Sequence, residues 1–309
     1  MIMMRTTLMI NSMDRPKTCD GFIAITVLWI LGGLSMLVSI YAAYVINTAS
    51  AFAGYDDHLK ADALVSAALE LTAYQQQAAS TQSRPTHGTF AFRLGQANVA
   101  VEFRSEVARI DLNTAPKQVL LGLFITLGAR PEDAENYAAR VIGWRTPQSV
   151  GQDAEAAGYR LARVGYQPRG AKFPHVNELS LVRDLPLSLV ERVLPFVTVY
   201  SGRPQINIVD AAPEVIAALP GMSVERVNEF LVIRQTSPER AKQLLPPEAQ
   251  QFATLEGNNA YRVTVRISFD NGHAESAEVV VLLFQEGDQP FAILSWLDAQ
   301  NQRTAETRF

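Results

Sequence analysis

The residues best suited to move protons or hold a metal at neutral pH are the histidines, His58, His87, His175 and His273. They are scattered along the chain with no ligand spacing between them. Acids cluster at Glu132, Asp133 and Glu135, just after Pro131, where they read as charges on the positive end of a helix rather than as a catalytic pair. Asp153 and Glu155, in the loop 152–158, are oxygen donors of the kind calcium takes, but no EF-hand spacing surrounds them. The sequence contains no Gly-x-Ser-x-Gly, no phosphate loop and no dinucleotide fingerprint. No catalytic residue and no cofactor are expected, calcium lacks a motif, and the chain does not read as an enzyme.

What the chain does carry is an uncharged apolar run from Phe22 to Ile46, preceded by a short segment with Arg5, Arg15 and Lys17. As a helix that run rises ~37 Å, enough to cross the ~30 Å hydrocarbon core of a bilayer. The positive charges before it predict a cytoplasmic N-terminus and an exported remainder. A cleaved secretory signal would have a shorter apolar stretch and small residues at its exit, which Val45-Ile46-Asn47 does not supply. A plain signal anchor fits the length equally well. A third reading attends to the junction itself, where Gly21 is followed at once by the aromatic Phe22 and the apolar helix. That order resembles the processing site of type IV pilin-like proteins, in which a peptidase at the cytoplasmic face cuts after the Gly.

Residues 1–21 are then a prepilin leader, long if translation starts at Met1 and of ordinary length if it starts at Met13. Cleavage after Gly21 removes Cys19, the sole cysteine, so the exported domain must stand on its own core without a disulfide. Hydrophobic residues make up 48% and charged residues 19%, and the net charge is −4, which speaks for a folded domain and against a nucleic-acid partner.

The helical pattern continues past the span. Ala61, Leu64, Ala68, Leu71 and Tyr74 or Gln75 recur at three- and four-residue spacing, with Asp56, Asp57, Lys60, Asp62 and Glu70 opposite and Gly54 as the weak point. This predicts a stem whose amphipathic half is 47–80. Alternating runs Thr89–Leu94 and Asn98–Arg104 predict a hairpin within 81–110. A second β block, Ala260–Phe269 and His273–Phe284, turns at Asp270-Asn271-Gly272, where Asn-Gly suggests a type I′ turn; Phe291–Leu297 is a further candidate strand. The fold class that follows is α+β, a long helix packed on an antiparallel sheet.

Between these blocks, 111–205 reads as an inserted all-α domain. It opens on Asp111-Leu112-Asn113-Thr114-Ala115-Pro116, with Asn113 or Thr114 as candidate cap and Val119, Leu120, Leu123, Phe124 and Leu127 on one face. The opening returns as Val209-Asp210-Ala211-Ala212-Pro213, which suggests an internal duplication. The second part of the α+β unit is set at 206–300, and 301–309 is a polar tail. Trp144, Trp296 and the run Phe284–Phe291 read first as core, second as interface.

Four stretches in order carry a specific resemblance. They are Gly21-Phe22, the phrase ending at Pro116, Asn177-Glu178-Leu179 leading to Pro195-Phe196-Val197-Thr198-Val199, and Ala212 to Gly221. Together they resemble the K-type minor pseudopilins of type II secretion systems. The resemblance implies a pilin-like fold with a large helical insertion and a single span in the bacterial inner membrane. It also implies a periplasmic domain at the tip of the pseudopilus, with I- and J-type minor pseudopilins as partners. The prepilin peptidase is a further partner, and secreted substrates are candidates. Pilin-like subunits usually carry Glu at the fifth mature position, where this chain has Thr26; the K-type family characteristically lacks that Glu. An apolar anchor also needs no charge there. Leu219-Pro220-Gly221-Met222-Ser223 resembles a helix-hairpin-helix turn, but Ser223 stands where a second Gly would meet a phosphate, so nucleic acid is not expected. The alternative function is a single-pass, signal-anchored envelope protein with a protein-binding periplasmic domain.

Overall fold

The computed structural model describes residues 20–79, 84–147, 154–284 and 289–298. The chain divides into two units, 1–60 and 61–309, and one helix, α1 (Asp20–Ala78), contributes to both. Within the first unit every side chain from Ala24 to Asn47 is exposed, large apolar ones such as Trp29 and Tyr41 included. Ala24–Thr48 has a mean hydropathy of 2.0 and is long and apolar enough to cross a membrane. Two of its hydroxyls turn back on the helix, Ser39 donating to the Ser35 carbonyl at 2.9 Å and Thr48 to that of Tyr44 at 2.8 Å.

In the second unit α1 buries a stripe at Ala61, Leu64, Val65, Ala68, Leu69, Thr72, Ala73 and Gln76. Leu71 and Tyr74, expected in that stripe, are exposed instead. Thr72 takes the inward place because its hydroxyl is satisfied by the Ala68 carbonyl at 2.7 Å, so it packs as an apolar residue.

The chain then forms β1 (His87–Leu94) and β2 (Ala97–Ser105), joined by Gly95-Gln96 with Gly95 at φ +60. A 3-10 turn, Glu106–Ala108, leads into the helical domain. Its elements are β3 (Ile110–Asp111), α2 (Lys117–Thr126), α3 (Pro131–Arg145), α4 (Ala154–Leu161), α5 (Leu187–Val193) and β4 (Val197–Thr198). After them come β5 (Ile206–Asn207), α6 (Pro213–Ala217), α7 (Val224–Arg234), α8 (Pro238–Leu244), α9 (Pro247–Gln250) and β6 (Ala253–Thr254). The chain returns to the sheet with β7 (Ala260–Phe269), β8 (Ala274–Leu283) and β9 (Phe291–Asp298). The sheet is antiparallel in the order β1-β2-β7-β8-β9. Alternation puts Val99, Val101, Phe103, Val263, Val265, Val279 and Val281 on the face that packs against the α1 stripe. Arg262, Thr264, Arg266 and Glu278 fall on the other face by the same period.

The β7–β8 turn differs from expectation. Only Gly272 has positive φ, +85, and its amide donates to the Phe269 carbonyl at 3.0 Å. The Phe269 amide in turn meets the His273 carbonyl at 2.9 Å. A type I turn followed by a left-handed glycine spans three residues, whereas type I′ connects strands through two.

The helical domain has one core, and that core does not end at 205. Ile206, Ile208, Val215, Phe230, Leu245 and Ala253 share a cluster with Leu120, Phe124, Val141 and Leu189. The helical insertion therefore runs to about β6, and the second part of the sheet domain starts near β7 rather than at 206. The reason is the duplication itself. The β3 strand pairs parallel with β4, and β5 pairs parallel with β6. The Asp111 carboxylate accepts the Asn113 amide at 2.7 Å, and the Asn207 side-chain carbonyl accepts that of Val209 at 2.9 Å. The Arg145 guanidinium then donates to the carbonyls of Leu112 and Ala115, at 2.7 Å for the latter. Arg234 does the same to Ile208 at 3.2 Å and Ala211 at 2.6 Å. Each copy is thus a short strand, a turn and a helix pair whose last arginine binds back on the turn. Neither Asn113 nor Thr114 caps α2, whose N-cap is Pro116. Asn113 instead exchanges two hydrogen bonds with the Phe173 backbone, at 2.7 and 3.0 Å.

Two tyrosines lock into these cores. The Tyr159 hydroxyl accepts the Arg183 amide at 2.7 Å, and that of Tyr261 donates to the Pro85 carbonyl at 3.1 Å. Burial pushes both phenols up to about 12. A folded pKa above the unfolded value of about 10 gives stability that is full below pH ~10 and lost as pH rises through 12. Unfolding free energy is therefore expected to be level up to that point and to fall across the window. The check is denaturant unfolding at stepped pH, in which Tyr261→Phe has a shallower alkaline fall than the parent protein.

Candidate functional site

The expected cleavage site lies at the start of α1. Gly21 and Phe22 are within the helix backbone, and their side chains, like all of residues 1–19 with Met13 and Cys19, are outside the described residues. Thr26 is an exposed position one turn further on.

The histidines stay apart. His175 caps the 3-10 turn Val176–Leu181 by accepting the Asn177 amide at 3.1 Å, and His273 meets Glu275 at 2.9 Å. His87 lies 2.6 Å from the buried Asp210 carboxylate. Among the described residues no group of three His, Cys, Asp or Glu is gathered as a metal would need. Glu155 is held by Arg140 at 3.3 Å, and Asp153 is outside the described residues. Glu132 and Asp133 stand in the first turn of α3, where Asp133 binds Arg130 at 2.7 Å, and Glu135 binds Lys117. Trp144 is in the core, in ring contact with Tyr159 and Phe173. Trp296 is half-buried against the sheet core. At the hairpin before α7, Gly221 has φ +73 and Ser223 is an N-cap whose hydroxyl accepts the Arg226 amide at 3.4 Å. That hydroxyl is thus spent on its own helix.

The strongest electrostatic feature is one the sequence reading did not single out. Glu106, in the turn after β2, is buried to 1% exposure. Its carboxylate takes Arg262 of β7, Nε to Oε1 at 2.7 Å and Nη2 to Oε2 at 3.2 Å, and also the Thr198 hydroxyl of β4. Arg262 bonds Glu278 of β8 with its remaining nitrogen. Nearby, Asp111 accepts Ser201 Oγ at 3.0 Å and the Gly202 amide at 2.7 Å. Asn258 donates to the Ser201 carbonyl at 2.9 Å. These bonds join the sheet to the start of the helical insertion at Asp111 and to its middle at Thr198 and Ser201. The only signal in the sequence is an acid just past a strand end and an arginine at a strand start, a pattern too common to read.

A long N-terminal helix on an antiparallel sheet, with a helical domain between its second strand and the last three, defines a pilin-like protein with an insertion. Residues 97–202 match the model of a family described as type II secretion system (T2SS), protein K. A similar fold is found in a chain of the crystal structure of the GspK-GspI-GspJ complex from the enterotoxigenic Escherichia coli type 2 secretion system. Identity is 18% and the TM-score 0.56, and the match covers 80% of this chain and 98% of that one. No curated protein sequence matches the chain. The family match over residues 97–202 and the shared fold bear out the resemblance to the K-type minor pseudopilins of type II secretion.

Proposed function

We propose that this chain is held in the bacterial inner membrane by one span, N-terminus cytoplasmic and the 61–309 unit periplasmic. On this reading it sits at the tip of the pseudopilus and starts or caps its assembly with I- and J-type minor pseudopilins. The observation that carries the reading is an uncharged apolar helix, Ala24–Thr48, exposed from Ala24 to Asn47, on the same chain as a pilin-type sheet and a match to the protein K family. Thr26 supports the tip position: a subunit with no neighbour above it needs no carboxylate to meet that neighbour's terminal amine, and an unpaired one in lipid is costly. The chain acts as a structural subunit, and its one covalent event is hydrolysis of the Gly21–Phe22 bond by the prepilin peptidase.

The test is the N-terminal residue of the protein isolated from cells with and without that peptidase. A start at Phe22 only when the peptidase is present is the expected result. An uncut leader on an exported domain would leave the signal-anchored envelope protein instead.

A further inference from the structure

Between the outer face of the sheet and the helical domain lies a cavity of about 310 Å³, walled by Arg262, Thr264 and Arg266 on one side and Phe196, Ala212 and Val215 on the other. Its charges are numerically balanced. Arg104, Arg109, Arg262 and Arg266 line it together with Glu102, Glu106, Glu278 and Asp210. The pairing is not balanced. Glu106 and Glu278 are both taken by Arg262, and Glu102 reaches Arg104 at 3.3 Å and Arg266 at 4.0 Å. Asp210 meets His87 through Oδ1 at 2.6 Å, while its buried Oδ2 has no hydrogen-bond partner among the described residues. Arg109, in contrast, has no hydrogen-bond or ion-pair partner for its guanidinium among the described residues, although it lies beside a buried carboxylate network. Burial and then the neighbouring Arg262 lower its pKa, outweighing the opposing pull of Glu106 and Glu278, neither of which it bonds.

We propose that this cavity is an oxyanion site in which Arg109 binds one carboxylate, supplied by an acidic side chain of a partner subunit. A planar guanidinium with free donors is suited to bidentate carboxylate or phosphate contact. The zero net charge of the lining means that no long-range field draws in a polyanion, which excludes nucleic acid and favours a single anionic group placed by surrounding contacts. The walls belong to both the sheet and the helical insertion, so an occupant would read whether the two are correctly docked. The choice of a partner subunit as the source rests on the proposed assembly role; the anion chemistry does not.

The experiment uses the full chain in detergent, with arginine side-chain resonances followed by NMR during titration with succinate and with inorganic phosphate. A saturable shift of the Arg109 Nε–H signal is expected. Arg109→Lys, which keeps the charge and loses the fork, should bind at least tenfold more weakly, as read from the remaining cavity arginines. Arg109→Gln should not bind. An unsaturating drift, or equal responses in the parent protein and both variants, would overturn the site. If Arg109→Gln does not fold, Arg109→Lys alone decides. The source is then settled with the partner minor pseudopilins added: loss of the phosphate response in the complex, and a complex at least tenfold weaker with Arg109→Lys, supports a partner carboxylate. A complex that still binds phosphate and tolerates the variant overturns the partner as source and leaves a free-anion site. Because the first titration uses the isolated chain, its outcome is independent of where the mature protein begins.

Discussion

Replacing Arg262 with Met is expected to lower the free energy of unfolding by about 3–5 kcal/mol, the range for removing one partner of a buried ion pair. Met keeps most of the volume of the arginine stem, so the loss falls on the charge. Glu106 would keep the Thr198 hydroxyl and lose both nitrogens of Arg262, leaving a carboxylate that is 1% exposed without a counter-ion. Burial by itself would depress the arginine's pKa, yet the charges and hydrogen bonds of Glu106 and Glu278 outweigh it and hold it above its ordinary value. The pairing is thus strong enough to overcome the desolvation of the cation. Urea unfolding of the full chain in detergent measures the effect, and a change below about 1 kcal/mol would show that the pair contributes little.

The double variant Glu106→Leu with Arg262→Met separates the cost of an orphaned charge from the value of the pair. Removing both charges is often neutral or stabilising, so the double variant should recover most of the loss. Glu278 is partly exposed and can return to water when Arg262 is gone. What the double variant should not recover is the docking of the insertion, because Glu106 also holds Thr198 of β4. Protease sensitivity of the 106–109 connection is the matching readout, with faster cleavage expected than in the parent protein.

The sequence was most legible where one physical rule acts alone. Alternation found β2, β7 and β8 because one face of each is buried in the core shared with α1, and β1 because Phe90 and Phe92 are half-buried against it. It failed where a polar residue could satisfy itself. Thr72 packs inward and Leu71 stays out because the Thr72 hydroxyl bonds its own helix. The Asn-Gly pair predicted a turn at the right residues, but with three loop residues only Gly272 needs positive φ. Asn113 is a strong capping type by propensity, yet its amide is used across the domain on Phe173. The repeated phrase at 209–213 is legible in the sequence, whereas the domain boundary follows from how the second copy packs. A duplicated unit requires its second copy to share the first copy's core, and that moves 206–254 into the helical domain. Glu106, Arg262 and Arg109 were not legible because their roles exist only once β2, β7 and the insertion meet.

The second large effect is expected from a single methyl group. In α2, a Cβ built on Gly122 would lie 2.1 Å from the carbonyl oxygen of Ala218, 2.8 Å from its carbon and 3.1 Å from its Cα. These are backbone atoms just past α6, so no side chain can swing aside, and the two helices of the duplicated unit must separate. Gly122→Ala would gain ~1 kcal/mol of helix propensity. Overpacking a close crossing costs about 1–3 kcal/mol, and here the upper end applies because the whole backbone must move. The net loss expected is about 2 kcal/mol, and Gly122→Val should lose more, since it adds branching without the propensity gain. Gly165 is the contrast: it has nothing within 4 Å of a built Cβ, so Gly165→Ala should be neutral or slightly stabilising. Thermal unfolding followed by circular dichroism ranks the three variants. If Gly122→Ala melted with the parent protein, the α2–α6 contact would not be the close crossing that joins the two copies.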